Sequence, residues 1–161
     1  MAPLQAGECG GLFMRATIRI LALDLGEKRI GVALSDALGL TAQGLTVLHR
    51  QGLEQDLAAV TTLAKKHEVQ EIVIGLPRHL DGRLGKGAEE VLQWVEELKR
   101  RLLIPVHTWD ERLTTMQAER VLLAADLSRR KRRQVIDKMA AGLILQAFLD
   151  SRRQDKSTHP D

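Results

Sequence analysis

Only one of the 161 residues is a cysteine, Cys9. No intrachain disulfide and no cysteine-built zinc site is available, and a reducing compartment fits this usage. Aromatic residues are almost as scarce: Phe13, Trp94, Trp109 and Phe148, with no tyrosine. Proteins that grip single strands stack bases on aromatic platforms, which this chain has little means to build. Contact with nucleic acid has to lean on phosphates and shape instead. No apolar run reaches the ~20 residues of a membrane-spanning helix. The N-terminus lacks a signal peptide's basic-then-apolar order, so a cytoplasmic protein with no membrane partner is expected. His49, His67, His79, His107 and His159 show no ligand spacing, which argues against zinc. G-x-S-x-G, Walker A and G-x-G-x-x-G patterns are also missing.

What is present is organised around residues 18–35, Ile-Arg-Ile-Leu-Ala-Leu-Asp-Leu-Gly-Glu-Lys-Arg-Ile-Gly-Val-Ala-Leu-Ser. The first half reads as a buried strand, Gly26 can make a turn, and residues 30–34 return alongside as a second strand. Asp24 ends the buried run. A carboxylate there is costly to desolvate unless a cation meets it, whether a side chain or a metal ion. The blander alternative is a turn-forming Asp-x-Gly.

The length suits one domain with a real core, expected over residues 15–150. Residues 1–14 lack periodicity and read as a disordered extension, with Met14 an alternative start to Met1. A third strand is expected at 46–50, after a turn spanning Gly39 to Gly44. Residues 52–67 read as a helix through Leu53, Leu57, Val60, Leu63 and Ala64. Glu71 to Gly75 is a short apolar strand of the central parallel kind, broken at Pro77. Residues 78–87 form a glycine-rich basic loop. The helix over 88–101 carries Val91, Leu92, Val95 and Leu98 on one face, with Glu96–Arg100 and Glu97–Arg101 at i,i+4. The last strand is expected at 104–109. A helix with capping-box spacing should follow over 114–125, and a final one over 132–150. Ile136, Met139, Ala140, Leu143, Ile144 and Ala147 make the apolar face of that final helix. Residues 151–161 read as a frayed polar tail. The order of elements predicts a mixed α/β sheet, antiparallel in its first three strands and parallel after them.

That architecture gathers acids. Asp24 ends the first strand, Asp110 and Glu111 end the last, and Asp137 borders the apolar stripe of the final helix. Clustered carboxylates raise one another's pKa unless cations sit among them. Mg²⁺ takes oxygen ligands, often one or two carboxylates plus substrate phosphate, and a pair of such ions supports phosphodiester hydrolysis. Adjacent residues in extended chain face opposite ways, so one of Asp110 and Glu111 joins Asp24. Which one is open at this level. Arg129, Arg130, Lys131, Arg132 and Arg133 run directly into the helix carrying Asp137, and Lys28 and Arg29 adjoin Asp24. All are candidate phosphate contacts, as are Arg78 in the glycine-rich loop and Arg112 beside the acids; the alternative is an ordinary solvated face. The net charge of +3 permits a polyanionic partner without demonstrating one.

Four stretches in order resemble the YqgF/RuvX family of RuvC-like, RNase H-fold nucleases. They are Leu23-Asp24-Leu25-Gly26-Glu27-Lys28-Arg29-Ile30-Gly31-Val32-Ala33; Gly75-Leu76-Pro77 with Asp81-Gly82; Asp110-Glu111-Arg112-Leu113-Thr114-Thr115; and Asp137-Lys138-Met139-Ala140-Ala141 leading into Ile144-Leu145-Gln146. The resemblance implies a five-stranded RNase H-like sheet and a metal-binding triad of Asp24, Glu111 and Asp137. It also implies 5′-end processing of precursor 16S ribosomal RNA, or Holliday-junction resolution by analogy with RuvC. RuvC-type sites carry a fourth acid one helical turn beyond the third, where this chain has Ala140 and Ala141.

The reading is therefore a Mg²⁺- or Mn²⁺-dependent endonuclease acting on structured nucleic acid, as a monomer or homodimer. A resolvase would need a symmetric dimer, which an exposed Leu or Trp94 patch would suggest. Asp24-Leu25-Gly26 also resembles the phosphate loop of sugar kinases and actin-like ATPases, but those need two lobes and the chain is short for both. A third reading is a catalytically silent module that binds nucleic acid through its basic surface alone.

Overall fold

The computed structural model describes residues 18–77, 83, 85, 87–111 and 129–158, with backbone alone for 129–136 and 155–158. Five strands form one sheet: β1 (Ile20–Leu25), β2 (Arg29–Ser35), β3 (Ala42–His49), β4 (Glu71–Leu76) and β5 (Val106–Asp110). Their order across the sheet is β3-β2-β1-β4-β5. β1 pairs antiparallel with β2, β2 antiparallel with β3, and β1–β4 and β4–β5 are parallel. This is the expected mixed sheet, with the most apolar strand at its centre. Three described helices complete it: α1 (Leu53–Lys66), α2 (Ala88–Leu102) and α3 (Arg129–Thr158).

Strand alternation divides the core in two. On one face Leu21, Leu23, Ile72 and Ile74 meet Leu57 and Val60 of α1 and Val91, Trp94 and Leu98 of α2. On the other, Ile20, Ala22, Ala33 and Val73 meet Ala140, Ala141, Ile144, Leu145, Phe148 and Leu149 of α3. Burial of each large side chain contributes about 1.5–3 kcal/mol, so both layers are needed to hold the sheet.

Several expectations shift. On α2, Trp94 is fully buried and Leu92 is 43% exposed, because the i, i+3, i+7 series runs Val91, Trp94, Leu98. Trp94 thus belongs to the core and marks no dimer face. β3 begins at Ala42 rather than residue 46. Gly44 lies inside it, where the β2–β3 register slips between Val32 and Ala33. A side chain at Gly44 would meet Lys138 Cβ at 3.0 Å, so this glycine allows α3 to approach. The helix expected over 114–125 lies outside the described residues, as does the 78–82 part of the basic loop.

α3 extends to Thr158, well past the apolar stripe. Arg152 holds the extension: its Nη1 and Nη2 donate to the two Glu71 oxygens at 2.6 Å each, and its guanidinium lies 4.5 Å from the Phe148 ring centroid. His107 Nε2 lies 3.0 Å from Glu71 Oε1. Arg152, then desolvation in the opposite sense, then His107 set the Glu71 carboxyl, and the net effect holds it below its ordinary 4.5. A depressed carboxyl contributes stability that is present above the unfolded pKa and lost as pH falls through the folded one. Arg152→Ala should cost about 1–3 kcal/mol at neutral pH. The gap to wild type should narrow below pH 4.5, as urea melts at the two pH values would show.

Candidate functional site

Asp24 is the penultimate residue of β1 and only 9% exposed. Alternation places it on the α3 face, with Ile20 and Ala22. Its two partners across the ladder are both glycines: Gly31 in β2, directly in register, and Gly75 in β4, one step beyond the Leu23–Ile74 pair. A strand glycine marks a place where something comes close. A Cβ on Gly31 would stand 2.0 Å from the backbone oxygen of Asp137. On Gly75 it would stand 2.8 Å from Glu111 Oε1 and 2.7 Å from Ile144 Cδ1. The two missing side chains therefore make a shelf beside Asp24, with α3 resting on one half and the Glu111 carboxylate on the other.

The same geometry separates Asp110 from Glu111. Trp109 pairs with Gly75, and Asp110 pairs with Leu76, which belongs to the opposite core layer. Glu111, two residues beyond Trp109, returns to the α3 face and reaches Gly75. On α3 the buried series Ala141, Ile144, Phe148 is centred about one residue from the expected stripe. That rotation brings Asp137, four residues before Ala141, onto the sheet side. The structure thus places Asp24, Glu111 and Asp137 around one end of the sheet on one face.

Asp137 accepts a hydrogen bond from Arg29 Nε at 2.5 Å; the two side chains are 19% and 21% exposed. Arg29 is the first residue of β2, and the turn before it is firmly tied. Gly26 N–H donates to Arg29 O at 2.9 Å, and Arg50 N–H donates to Lys28 O at 2.9 Å. Arg50 Nη1 also donates to Gly26 O at 2.7 Å while its guanidinium pairs with Glu90 on α2 and lies 3.6 Å from buried Asp56 on α1. The sequence marks Gly31 and Gly75 within the family stretches without a structural role for either, and does not single out Arg50. The strand glycines carried a signal for close approach; Arg50, from the end of β3, carried none.

Among the described residues no three carboxylate, imidazole or thiol side chains stand together as a metal would need. The donor set nevertheless suits a hard divalent ion: all-oxygen, drawn from three elements, with the Gly75 shelf admitting Glu111 next to Asp24. Asp137 is engaged by Arg29. Neither Asp24 nor Glu111 is without a partner. The next turn of α3 contributes Ala140 and Ala141, both buried, so methyls fill the region of the fourth acid. Of the candidate phosphate contacts, Lys28 is exposed. Arg78 and Arg112 lie outside the described residues, and Arg129, Arg130, Lys131, Arg132 and Arg133 form the start of α3 by backbone alone.

Comparisons with known proteins bear on the family and the fold. A relative from Moorella thermoacetica is 56% identical over 133 residues, covering 83% of this chain and 95% of its own. One from Symbiobacterium thermophilum is 56% identical over 135 residues, 84% of this chain and 94% of its own. Both bear the name "Putative pre-16S rRNA nuclease". Among solved structures, Thermus thermophilus RuvC bound to a Holliday junction substrate matches with a TM-score of 0.54 at 13% identity, covering 84% of this chain and 96% of that one. Fowlpox virus resolvase bound to Holliday junction DNA matches at 0.51 and 11% identity, over 84% and 99%. The likeness shows the RuvC-type, RNase H-like fold. The family model described as "RuvX: Holliday junction resolvase" matches residues 18–151, and with these relatives it shows that the chain belongs to the RuvX family.

Proposed function

We propose that this chain is a divalent-metal-dependent endonuclease that hydrolyses phosphodiester bonds, with the 5′ end of precursor 16S ribosomal RNA as its substrate. The observation that carries the reading is the row Gly31–Asp24–Gly75, with Asp137 set over one glycine and Glu111 over the other. Two strand positions flanking Asp24 are stripped of side chains, one under the Asp137 backbone and one against the Glu111 carboxylate. Besides seating α3, the openings admit the Glu111 side chain at the strand end where Asp24 is buried, and a cation there would offset the cost of desolvating that carboxylate. The substrate follows from the names borne by relatives that share about half of their residues with this chain.

Asp24, Glu111 and Asp137 would hold Mg²⁺ or Mn²⁺. Such an ion, when bound, lowers the pKa of a water and takes up charge on the leaving oxygen. In the reaction a water oxygen bonds to phosphorus and the bond from phosphorus to one ribose oxygen breaks. The proton lost by the water is balanced by the one the leaving oxygen gains. The buried Asp24 carboxylate is held rigidly by the central strand, which fixes the reacting geometry. Lys28 and the run Arg129–Arg133 would position the substrate's phosphates without reading sequence. Five cations at the start of a helix oppose its dipole, and a polyanion there relieves the conflict. Neutralising Arg129, Arg130 and Arg132 together should weaken nucleic-acid binding and lower the log–log salt slope by about 0.7–0.9 for each phosphate left unneutralised. An unchanged slope in a salt titration would assign that run to a solvated face.

The family description favours a second reading, resolution of four-way DNA junctions, which requires a symmetric dimer. One assay separates the two. Precursor 16S 5′-end RNA and a four-way DNA junction are incubated side by side with Mg²⁺ or Mn²⁺. Metal-dependent cutting of the RNA alone is the expected result. Paired symmetric nicks in the junction would transfer the assignment to a resolvase. Binding of either without cutting would leave only a nucleic-acid-binding module. A cytoplasmic site of action goes with this proposal; no described helix is long and apolar enough to cross a membrane.

A further inference from the structure

We propose that Arg29 is a positioning residue that holds the Asp137 carboxylate while the site is metal-free and releases it to an incoming divalent cation, freeing the guanidinium to meet a substrate phosphate. The proposal rests on the metal-site reading above. The Asp137 backbone is seated over Gly31, the register partner of Asp24, and its Oδ2 is taken by Arg29 Nε at 2.5 Å. Among the described residues no three acids stand ready as a chelate. Acids placed at the same end of a sheet are better tolerated with a cation among them. Arg29 supplies that charge from within the chain, and a divalent ion would supply more of it at the same place.

The exchange needs no backbone movement. The Gly26–Arg29 turn is tied by its own hydrogen bond and by two from Arg50, and α3 is seated on Gly31 at Asp137 itself. Both ends of the pair are therefore fixed, and side-chain rotation alone makes or breaks it. Both side chains retain about a fifth of their exposure, so the guanidinium can swing toward solvent. A released Arg29 adjoins exposed Lys28, on the side where the phosphate chain would pass. Metal and substrate would then support each other: the ion frees the arginine, and the phosphate keeps it away from Asp137.

Calorimetric titration of the full chain with Mn²⁺, without nucleic acid, tests this independently of activity. Wild type, Arg29→Gln, Arg29→Lys and Asp137→Asn are compared. Removing the competitor should tighten Mn²⁺ about tenfold in Arg29→Gln, which corresponds to ~1.4 kcal/mol. Arg29→Lys keeps the charge without the Nε–H and should fall between that variant and wild type. Asp137→Asn should bind Mn²⁺ more weakly than wild type. Thermal melts in chelator provide a second readout: Arg29→Gln should be less stable than wild type there and regain the difference when Mn²⁺ is added. Equal or weaker Mn²⁺ affinity in Arg29→Gln, with wild type binding normally, overturns the exchange and leaves the metal site standing. Absence of Mn²⁺ binding from every variant overturns both.

Discussion

Asp24→Asn is expected to cut precursor RNA at least about a thousandfold more slowly than wild type, a loss of ~4 kcal/mol in transition-state stabilisation, with fold and nucleic-acid affinity retained. The substitution changes one oxygen for nitrogen at the best-buried of the three carboxylates. Its backbone is locked between β2 and β4, so nothing can shift to replace the lost charge. Removing the charge of a buried carboxylate lowers its desolvation cost, so the melting temperature should hold or rise. Substrate binding should hold or strengthen, since a polyanion meets one negative charge fewer. Cleavage, filter binding and melting on one preparation check all three. An Asp24→Asn protein that cuts normally would leave the acid site without a function.

Gly31→Ala should be the most damaging small substitution in the sheet, lowering stability by about 3 kcal/mol and the melting temperature by roughly 6–12 °C. The added methyl would stand 2.0 Å from the main-chain oxygen of Asp137, and a helix backbone held by the buried residues from Ala140 to Leu149 cannot yield locally. α3 must lift from the sheet, carrying Asp137 with it. Gly75→Ala makes an informative comparison. Its clashes, at 2.7 and 2.8 Å, are with the tips of Ile144 and Glu111, which can rotate aside. It should cost about 1 kcal/mol and act chiefly by displacing Glu111. Equal melting temperatures for the two variants would contradict this account of the shelf.

Much of the fold is legible in the sequence because its central strands are short, mostly apolar runs. Ile20 to Leu25, Arg29 to Ser35 and Glu71 to Leu76 can be little else. Errors arise where tertiary contacts override local preference. Gly44 reads as a turn residue, yet it sits within β3 so that Lys138 can pass. Residues 151–158 are polar enough to read as frayed, yet they stay helical where Glu71 and Phe148 anchor Arg152. Leu92 and Trp94 exchange places because two nearby apolar residues leave the phase of α2 to be decided by what it packs against.

The site follows the same pattern. Asp24 stands out from the sequence as an acid ending a buried strand. Residue patterns alone leave Asp110 and Glu111 open and the resemblance names Glu111; the register with Gly75 and Leu76 puts Glu111 on the α3 face. Gly31 matters because of a helix more than a hundred residues away in the chain. The partnership of Arg29 with Asp137 likewise joins groups that no local pattern connects.

Crystals grown with Mn²⁺ and measured at its absorption edge test the central claim most directly. The account predicts anomalous density bounded by the carboxylates of Asp24, Glu111 and Asp137, at the roughly 2.0–2.2 Å separations of oxygen ligands, with Arg29 turned away from Asp137. Manganese absent from that site at saturating concentration, or held elsewhere on the molecule, would contradict it.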